Sequence, residues 1–192
     1  SLEIEVIIEK ENDFSISRIA QLTQRTNQFN LTNKRYSEGE IKQIWTQGQG
    51  KYTSHWLPSF DDVNEKVIFG ITINYYVDMD KFKLDPNALS NGKLNFEKKT
   101  ISWSRGVNDI KRNYQMQKPM SSYLVMLAFG NFVKEEVKSK SGTPLEFYID
   151  KNDYSKFEPT YRYSKQIFDY LEQEIGMKYP WKIYRQIPVR DF

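Results

Sequence analysis

The 192-residue sequence contains no cysteine and a single histidine, His55. The absence of cysteine excludes a disulfide framework and every metal site that depends on thiolate ligands. One imidazole is too few for a zinc site, which needs three or four protein donors, and the helical H-E-x-x-H pattern is absent as well. We therefore assign no catalytic residue and no metal ligand to this chain, and we interpret His55 as an ordinary surface or core side chain.

Long apolar runs are also missing, and none approaches the roughly 18 residues that a membrane-spanning helix requires. The first residues lack the basic and then apolar pattern of a signal peptide. These absences predict a soluble protein and leave its compartment unknown. The 28 basic and 25 acidic residues give a formal net charge of +3 without a basic block. We therefore expect neither nucleic acid nor a membrane as a partner.

Period-two alternation of apolar and polar residues dominates the centre of the chain and predicts β-strands. It is clearest over residues 67–75, and further strands are predicted at 123–133 and 145–149. Asn91-Gly92 is the strongest short turn signal in the sequence, and the polar residues 78–89 predict a loop. The fold class is therefore mainly β with flanking helices, an α+β arrangement built on an antiparallel β-sandwich or a saddle-shaped sheet.

The two ends of the chain add helical patterns to this sheet. Residues 2–9 alternate as a strand, and residues 15–29 follow with the i, i+3, i+4 spacing of a helix. A carboxy-terminal helix is predicted over residues 160–175, with Gly176 as its C-cap. A last strand candidate covers residues 183–189.

One short motif, Trp45-Thr46-Gln47-Gly48-Gln49, followed by Trp56-Leu57-Pro58-Ser59-Phe60-Asp61, is the most informative in the chain. It resembles the substrate-facing loop of the zinc aminopeptidase family, of the aminopeptidase N and leukotriene hydrolase type. The resemblance implies that this loop directs oxygens at the ammonium group of a peptide, which offers three donors and no acceptor. It makes Gln49 the candidate substrate-binding residue and Gln47 a supporting one. Without the flanking motifs, both would be ordinary polar residues of a Gly-rich turn.

Further motifs extend the resemblance over residues 43–192 in the order that the family has. They are Pro119-Met120-Ser121-Ser122-Tyr123-Leu124, Gly130-Asn131-Phe132, the helix at 160–175, Tyr179-Pro180 and Pro188-Val189-Arg190-Asp191-Phe192. The resemblance implies an aminopeptidase-type β-domain at 43–158 and the start of a truncated catalytic domain at 159–192. The Gly-Ala-Met-Glu-Asn loop and the zinc helix of the family would follow. Zinc is thus implied for the full-length family but not for this chain, and the missing catalytic domain is an implied partner.

Residues 1–42 follow a different pattern from the rest. The run Ile19 to Thr32 and the triplet Arg35-Tyr36-Ser37 resemble part of the FkbH-like family, in which a phosphatase-type domain is joined to an acyltransferase-like one. Neither the phosphatase aspartates nor an acyl-carrier site accompanies these residues. The resemblance implies a chimeric chain with an FkbH-like strand-helix segment at 1–42.

These resemblances leave three function classes open. The first is a fragment of a zinc-dependent aminopeptidase, which contributes the glutamines that anchor the peptide amino terminus and thereby restrict cleavage to one residue at a time. Such a fragment is expected to be inactive alone. The second is a non-catalytic β-sandwich module that binds peptide ends or packs on a partner. The third is an acyltransferase-like fragment, inferred from residues 2–41.

Overall fold

The computed structural model describes residues 2–8, 44–46, 53, 57, 59, 62–78, 86–103 and 106–189. Within these ranges the chain forms twelve strands and two short helices. The strands are β1 Leu2–Ile8, β2 Ile44–Trp45, β3 Lys66–Val67, β4 Phe69–Asp78, β5 Asn87–Ser90, β6 Lys93–Ser102, β7 Val107–Gln115, β8 Met120–Ser121, β9 Leu127–Gly130, β10 Phe132–Lys138, β11 Pro144–Asp150 and β12 Tyr184–Gln186. The helices are α1 Phe157–Tyr161 and α2 Ser164–Ile175, and 3₁₀ helices lie at Ser122–Leu124 and Lys151–Lys156. The predicted fold class, mainly β with flanking helices, is confirmed.

The described strands form three sheets and one short ladder. Sheet 1 has the order β1-β4-β7-β6, sheet 2 the order β2-β9-β5 and sheet 3 the order β10-β11-β12, while β3 pairs with β8. Most pairs are antiparallel, as predicted, but β1 lies parallel to β4 and β12 lies parallel to β11. Parallel pairing requires a long connection, and both of these edge strands are separated from their partners by long stretches of chain.

Strand β4 carries the centre of the main core. Its inward residues are each at most 4% exposed: Phe69, Ile71, Ile73, Tyr75 and Val77. Thr72, Asn74 and Tyr76 between them are half-buried, because successive side chains of a strand point to opposite faces. The predicted alternation is thus confirmed from Phe69 onward, whereas Val67 lies in β3 and is 40% exposed.

Strand β1 is an edge strand of sheet 1 and pairs with β4 from Leu2 opposite Phe69 to Ile8 opposite Tyr75. Ile4 and Val6 pack against the main core. The strand predicted at 2–9 is therefore present through residue 8. The helix predicted at 15–29 lies outside the described residues, and the domain boundaries at 42 and 158 stay predictions.

The Asn91-Gly92 turn joins two strands that do not pair with each other. Strand β5 pairs with β9 and β6 pairs with β7, so the chain passes here from sheet 2 to sheet 1. Gly92 has a φ of +86°, and a Cβ atom at this position would lie 2.5 Å from the Gln115 carbonyl oxygen. Asn91 fixes the corner, since its Oδ1 accepts from the Met126 N–H at 2.6 Å and its Nδ2 donates to the Leu124 carbonyl at 3.0 Å.

Two predicted elements differ from the structure. The prediction of a loop at 78–89 is wrong at its end, where residues 87–89 belong to β5. Ala88 and Leu89 are buried there and pair with β9. The strand predicted at 123–133 is divided between a 3₁₀ helix, β9 and the start of β10. Strands β9 and β10 belong to different sheets, and the continuous apolar run of residues 124–129 does not mark where the chain changes sheet.

The helix predicted at 160–175 is present but interrupted. Residues 162–163 form a turn between α1 and α2, and Gly176 ends α2 in the left-handed conformation, as predicted. Phe168 of α2 packs with Leu145 and Phe147 of β11 in a separate core. Neither helix has the length and apolar composition needed to cross a membrane; this holds for the described ranges.

Candidate functional site

The two candidate glutamines follow strand β2 of sheet 2 in the sequence. Gln47, Gln49 and His55 lie outside the described residues, so the substrate-binding role of the glutamines stays a prediction. Strand β2 pairs with β9, and Trp45 lies opposite Ala128 and packs against a second core. The strand that leads into the loop of residues 47–49, called the Gln loop below, is therefore fixed in the fold.

Thr46, the residue before the Gln loop, makes two hydrogen bonds to the backbone of Leu127 in β9. Its N–H donates to the Leu127 carbonyl at 2.9 Å, and its Oγ1 accepts from the Leu127 N–H at 2.9 Å. In the pairing of β2 with β9, the Thr46 hydroxyl oxygen thus accepts the hydrogen bond that the Thr46 carbonyl would accept in a regular antiparallel ladder. The Leu127 donor therefore stays satisfied next to the end of β2 at Trp45.

Beyond the Gln loop, the chain is anchored again in the main core. Thr53 is 0% exposed and Leu57 is 2% exposed. The Leu57 N–H donates to the Thr53 carbonyl at 2.9 Å. Gln47 and Gln49 therefore lie in sequence between two fixed points, the Thr46 hydrogen bonds and the buried Thr53.

A charged cluster around the buried Glu146 joins β5, β10, β11 and β12, and we call it the Glu146 cluster. Arg185 Nε donates to Glu146 Oε2 at 2.5 Å, and Arg185 Nη1 donates to the carbonyl oxygens of Ser90, at 3.0 Å, and Gly92. Lys134 Nζ donates to Glu146 Oε1 at 2.8 Å. Each carboxylate oxygen of Glu146 therefore has a cationic partner, although the Glu146 and Arg185 side chains are only 9% and 10% exposed.

Two tyrosines, Tyr148 and Tyr114, complete the Glu146 cluster. Tyr148 Oη donates to Glu146 Oε2 at 3.1 Å, and Tyr114 Oη donates to the Ala88 carbonyl at 2.9 Å. The Arg185 guanidinium lies over the Tyr114 ring, with Cζ 5.4 Å from the ring centroid, as in cation–π pairs. Burial raises the pKa of both tyrosines, so both hydroxyls stay protonated donors at neutral pH.

The ionisation of Glu146 is set by its two cations. Burial alone would raise its pKa, but the hydrogen bond from Lys134 and the charge of Arg185 outweigh burial and hold the pKa below its usual range. For Lys134, partial burial would lower the pKa, but the bonds to Glu146 and Glu136 raise it. The lowered pKa of Glu146 and the raised pKa of Lys134 both keep these side chains charged, as in a fully paired ion-pair network. A general acid or base instead needs a pKa near the working pH.

No group of three or more His, Asp or Glu side chains that could hold a metal ion occurs among the described residues. The most buried carboxylate of the cluster, Glu146, is already bonded to Lys134 and Arg185. The described part of the chain therefore does not fit a zinc ion, and we derive no chemical step at a metal from it.

Neither Glu146 nor Arg185 is predicted as a functional residue by the sequence patterns. Both are charged residues within predicted strands, at 145–149 and 183–189, and a charge in a buried strand needs a partner. A charge within a predicted strand is therefore the sequence signal for such a pair. The sequence does not identify the partner, because Glu146 and Arg185 are 39 positions apart and meet only through the parallel pairing of β11 with β12.

Glutamyl aminopeptidases from three mammals are similar to this chain in sequence. The protein of Rattus norvegicus is 30% identical over 137 residues, 71% of this chain and 13% of that protein. The protein of Bos taurus is 32% identical over 137 residues, with the same coverage. The protein of Homo sapiens is 29% identical over 160 residues, 82% of this chain and 15% of that protein. No protein-family model matches the chain.

Aminopeptidase A of Legionella pneumophila, whose crystal structure is a complex with aspartic acid, has a similar fold. The TM-score is 0.56 at 18% identity, covering 78% of this chain and 17% of that one. The present chain spans 13% to 15% of the length of the curated relatives that it matches. The FkbH-like resemblance of residues 1–42 stays a prediction. Relatives and fold agree with the motifs of residues 43–192, and the chain belongs to the zinc aminopeptidase family.

Proposed function

We propose that this chain forms the amino-terminal β-domain and the entrance to the catalytic domain of an enzyme that removes amino-terminal residues from peptides. The family relationship supports this reaction class. The observation that carries the proposal is the double hydrogen bond of Thr46 to Leu127, which fixes the residue directly before the Gln loop. The amino terminus of a peptide is then the partner that this chain binds.

Gln49 is the proposed anchor of that amino terminus, with Gln47 supporting it. The side-chain carbonyl of glutamine is an acceptor, and an ammonium group has only donors. A hydrogen bond to a charged group contributes roughly 1.5–3 kcal/mol. Because an amine held in one place brings only the first peptide bond to the reaction centre, this contact would limit cleavage to one residue at a time.

The metal chemistry belongs to another part of the proposed enzyme. Zinc in the full-length family supplies Lewis-acid polarisation of the scissile carbonyl. This chain has one histidine and no cysteine, so it contributes binding and orientation alone. We therefore expect the 192-residue chain to have no aminopeptidase activity by itself, and turnover of an aminoacyl-anilide that a chelator abolishes would contradict this.

The outer face of α2 is the surface on which the proposed catalytic domain would pack. The exposed apolar residues on and next to this helix are Tyr163, Ile167, Tyr170, Leu171 and Ile175, each 49% to 66% exposed. Phe168 of the same helix is buried against β11, and it lies about 100° or more around the helix axis from Ile167 and Tyr170. Apolar residues on both faces are typical of a helix between two layers, and the described residues supply only one of these layers.

The names of the relatives favour a substrate class. The three mammalian relatives are named glutamyl aminopeptidase, and the Legionella structure contains aspartic acid. We propose peptides with an acidic amino-terminal residue as the preferred substrates. A free-amino peptide that begins with Glu should then bind more tightly than the same peptide beginning with Lys.

A peptide titration followed by NMR tests the amine anchor on the chain itself. A peptide that begins with a free Glu should shift the side-chain amide resonances of Gln49, and Gln49→Ala should remove the response of the loop. The matched ligand is the same peptide with an acetylated amino terminus. Equal shifts from both peptides would exclude the ammonium group as the bound feature.

Kinetics provide the second test, in a full-length aminopeptidase that carries this loop. Gln49→Ala should lower kcat/KM for a free-amino substrate by about 10-fold to over 100-fold, the equivalent of one hydrogen bond to a charge. Gln47→Ala serves as the neighbouring control and should have a smaller effect. A loss of no more than a factor of about two would show that Gln49 is not the amine anchor.

A further inference from the structure

We propose that Arg185 is a positioning residue that ties strand β12 to the row of sheet 2 that ends at Thr46, the residue before the Gln loop. Its importance for catalysis rests on the proposed function, because the role of Gln49 is itself proposed. The structural link between Arg185 and Thr46 stands separately, since it consists of described contacts.

A continuous row of contacts crosses sheet 2 and ends at Arg185. Thr46 bonds to Leu127 in both directions at 2.9 Å. Leu127 lies opposite Ser90 in the register of β9 and β5. The Ser90 carbonyl accepts from Arg185 Nη1 at 3.0 Å. The residue before the Gln loop and strand β12 are thus connected through two strands of one sheet.

The acceptors of Arg185 are themselves held in place. Ser90 is 1% exposed, and its Oγ donates to the Met126 carbonyl at 2.7 Å. Gly92 presents a second carbonyl to the same guanidinium nitrogen from a positive φ that favours glycine. The corner between β5 and β6 therefore forms a fixed acceptor pair for Arg185.

Glu146 fixes the other edge of the guanidinium through Arg185 Nε. A guanidinium is planar and carries five donors in a rigid arrangement, so bonds at Nε and Nη1 set its orientation as well as its position. Lysine has a single nitrogen and cannot reproduce this geometry. Removing Arg185 leaves Glu146 paired with Lys134, so the neighbouring charge would not be left alone.

The chain beyond β12 therefore starts from a point that Arg185 sets relative to Thr46, the residue before the Gln loop. In the proposed enzyme, this link would help to set where the amine anchor lies relative to the catalytic domain predicted from residue 159 onward. A substitution at Arg185 should accordingly change the Thr46–Leu127 contact before it changes strand β4. The hydrogen-bond partners of the guanidinium described above, and the Tyr114 ring in β7 beneath it, lie outside β4.

Amide hydrogen exchange in the 192-residue chain tests this link. The Leu127 N–H reports it directly, since its acceptor is Thr46 Oγ1. In Arg185→Met we expect Leu127 exchange to rise by about ten-fold or more, with shifts of the Thr46 resonance and little change for Ile73 in β4. Arg162→Met is the matched control, because the Arg162 ion pair with Glu158 at 2.6 Å is exposed, and it should leave Leu127 unchanged.

Arg185→Lys keeps the charge and provides a second variant if Arg185→Met does not fold. We expect Lys to restore folding but not the slow exchange of Leu127. Wild-type exchange of Leu127 in Arg185→Lys, or an equal rise for Leu127 and Ile73 in a folded variant, would overturn the proposal. If the free-amino peptide causes no shift in the wild-type chain, the amine anchor is wrong, while the exchange rates still decide the role of Arg185.

Discussion

The core around β4 and the Glu146 cluster stabilise this molecule in different ways. The inward side chains of β4 are at most 4% exposed, and the contribution of such a core depends on volume more than on identity. The Glu146 and Arg185 side chains are nearly as buried, at 9% and 10%, but each depends on a particular partner. A buried ion pair is weak evidence for stability, yet removing one member is costly. The core thus supplies stability, whereas the cluster selects which strands meet.

Phe69→Ala should give the largest loss, because Phe69 is 0% exposed at the centre of the main core. Truncation of a buried phenylalanine costs about 3–5 kcal/mol in the free energy of unfolding. Urea denaturation measures this loss. Val67→Ala, at a 40% exposed position nearby, is the control, and it should change the free energy by at most about 0.5 kcal/mol. Similar losses for both variants would contradict the assignment of the core.

Glu146→Ala should cost nearly as much, about 3 kcal/mol, because it leaves Arg185 and Lys134 without their shared anion. The charge-reversed double variant Glu146→Arg with Arg185→Glu sharpens the comparison. It should recover only part of the loss, since the arginine introduced in β11 would face Lys134 and the glutamate introduced in β12 could not donate to the Ser90 carbonyl. If urea denaturation shows that the double variant has the wild-type free energy of unfolding, the ion pair alone, without the carbonyl contacts of Arg185, accounts for the stability that the cluster contributes.

Gly92→Ala should destabilise the corner between β5 and β6 by about 2 kcal/mol or more, since φ is +86° and the new Cβ would meet the Gln115 carbonyl at 2.5 Å. Gly142→Ala is a matched control with a φ of +92° and no atom within 4 Å. The difference in thermal midpoint between the two variants isolates the close contact from the backbone strain. Equal midpoints would show that the neighbouring backbone yields at no cost.

Acid should weaken the cluster more than the core. The pKa of Glu146 is below its ordinary value of 4.5 in the folded chain, so its contribution is fully present above about pH 4.5 and is lost as the pH falls through the lower, folded pKa. Glu146→Gln should therefore flatten the decline of stability below pH 4.5 in urea denaturation. Parallel pH profiles for the wild type and this variant would exclude Glu146 as a source of acid sensitivity.

The sequence predicts best the features that depend on neighbouring residues alone, such as a strand with one buried face or the end of a helix. The alternation from Phe69 to Val77 and the C-cap at Gly176 appear in the structure because they depend on side-chain direction and on local backbone conformation. The prediction of a loop at 78–89 is wrong at its end, where Ala88 and Leu89 are buried and pair with β9. Burial at that position is decided by a strand that is distant in sequence, which a local pattern does not contain.

By itself, the sequence determined the fold class, the alternation of the central strand and the membership in the aminopeptidase family, all of which follow from short-range patterns and motif order. Only the tertiary structure decided the parallel placement of β1 and β12, the passage between sheets at Asn91-Gly92, and the meeting of Glu146 with Arg185. The physical reason is the same in each case. Strand pairing and buried ion pairs join residues distant in sequence, and their partners are selected by the packing of the whole chain.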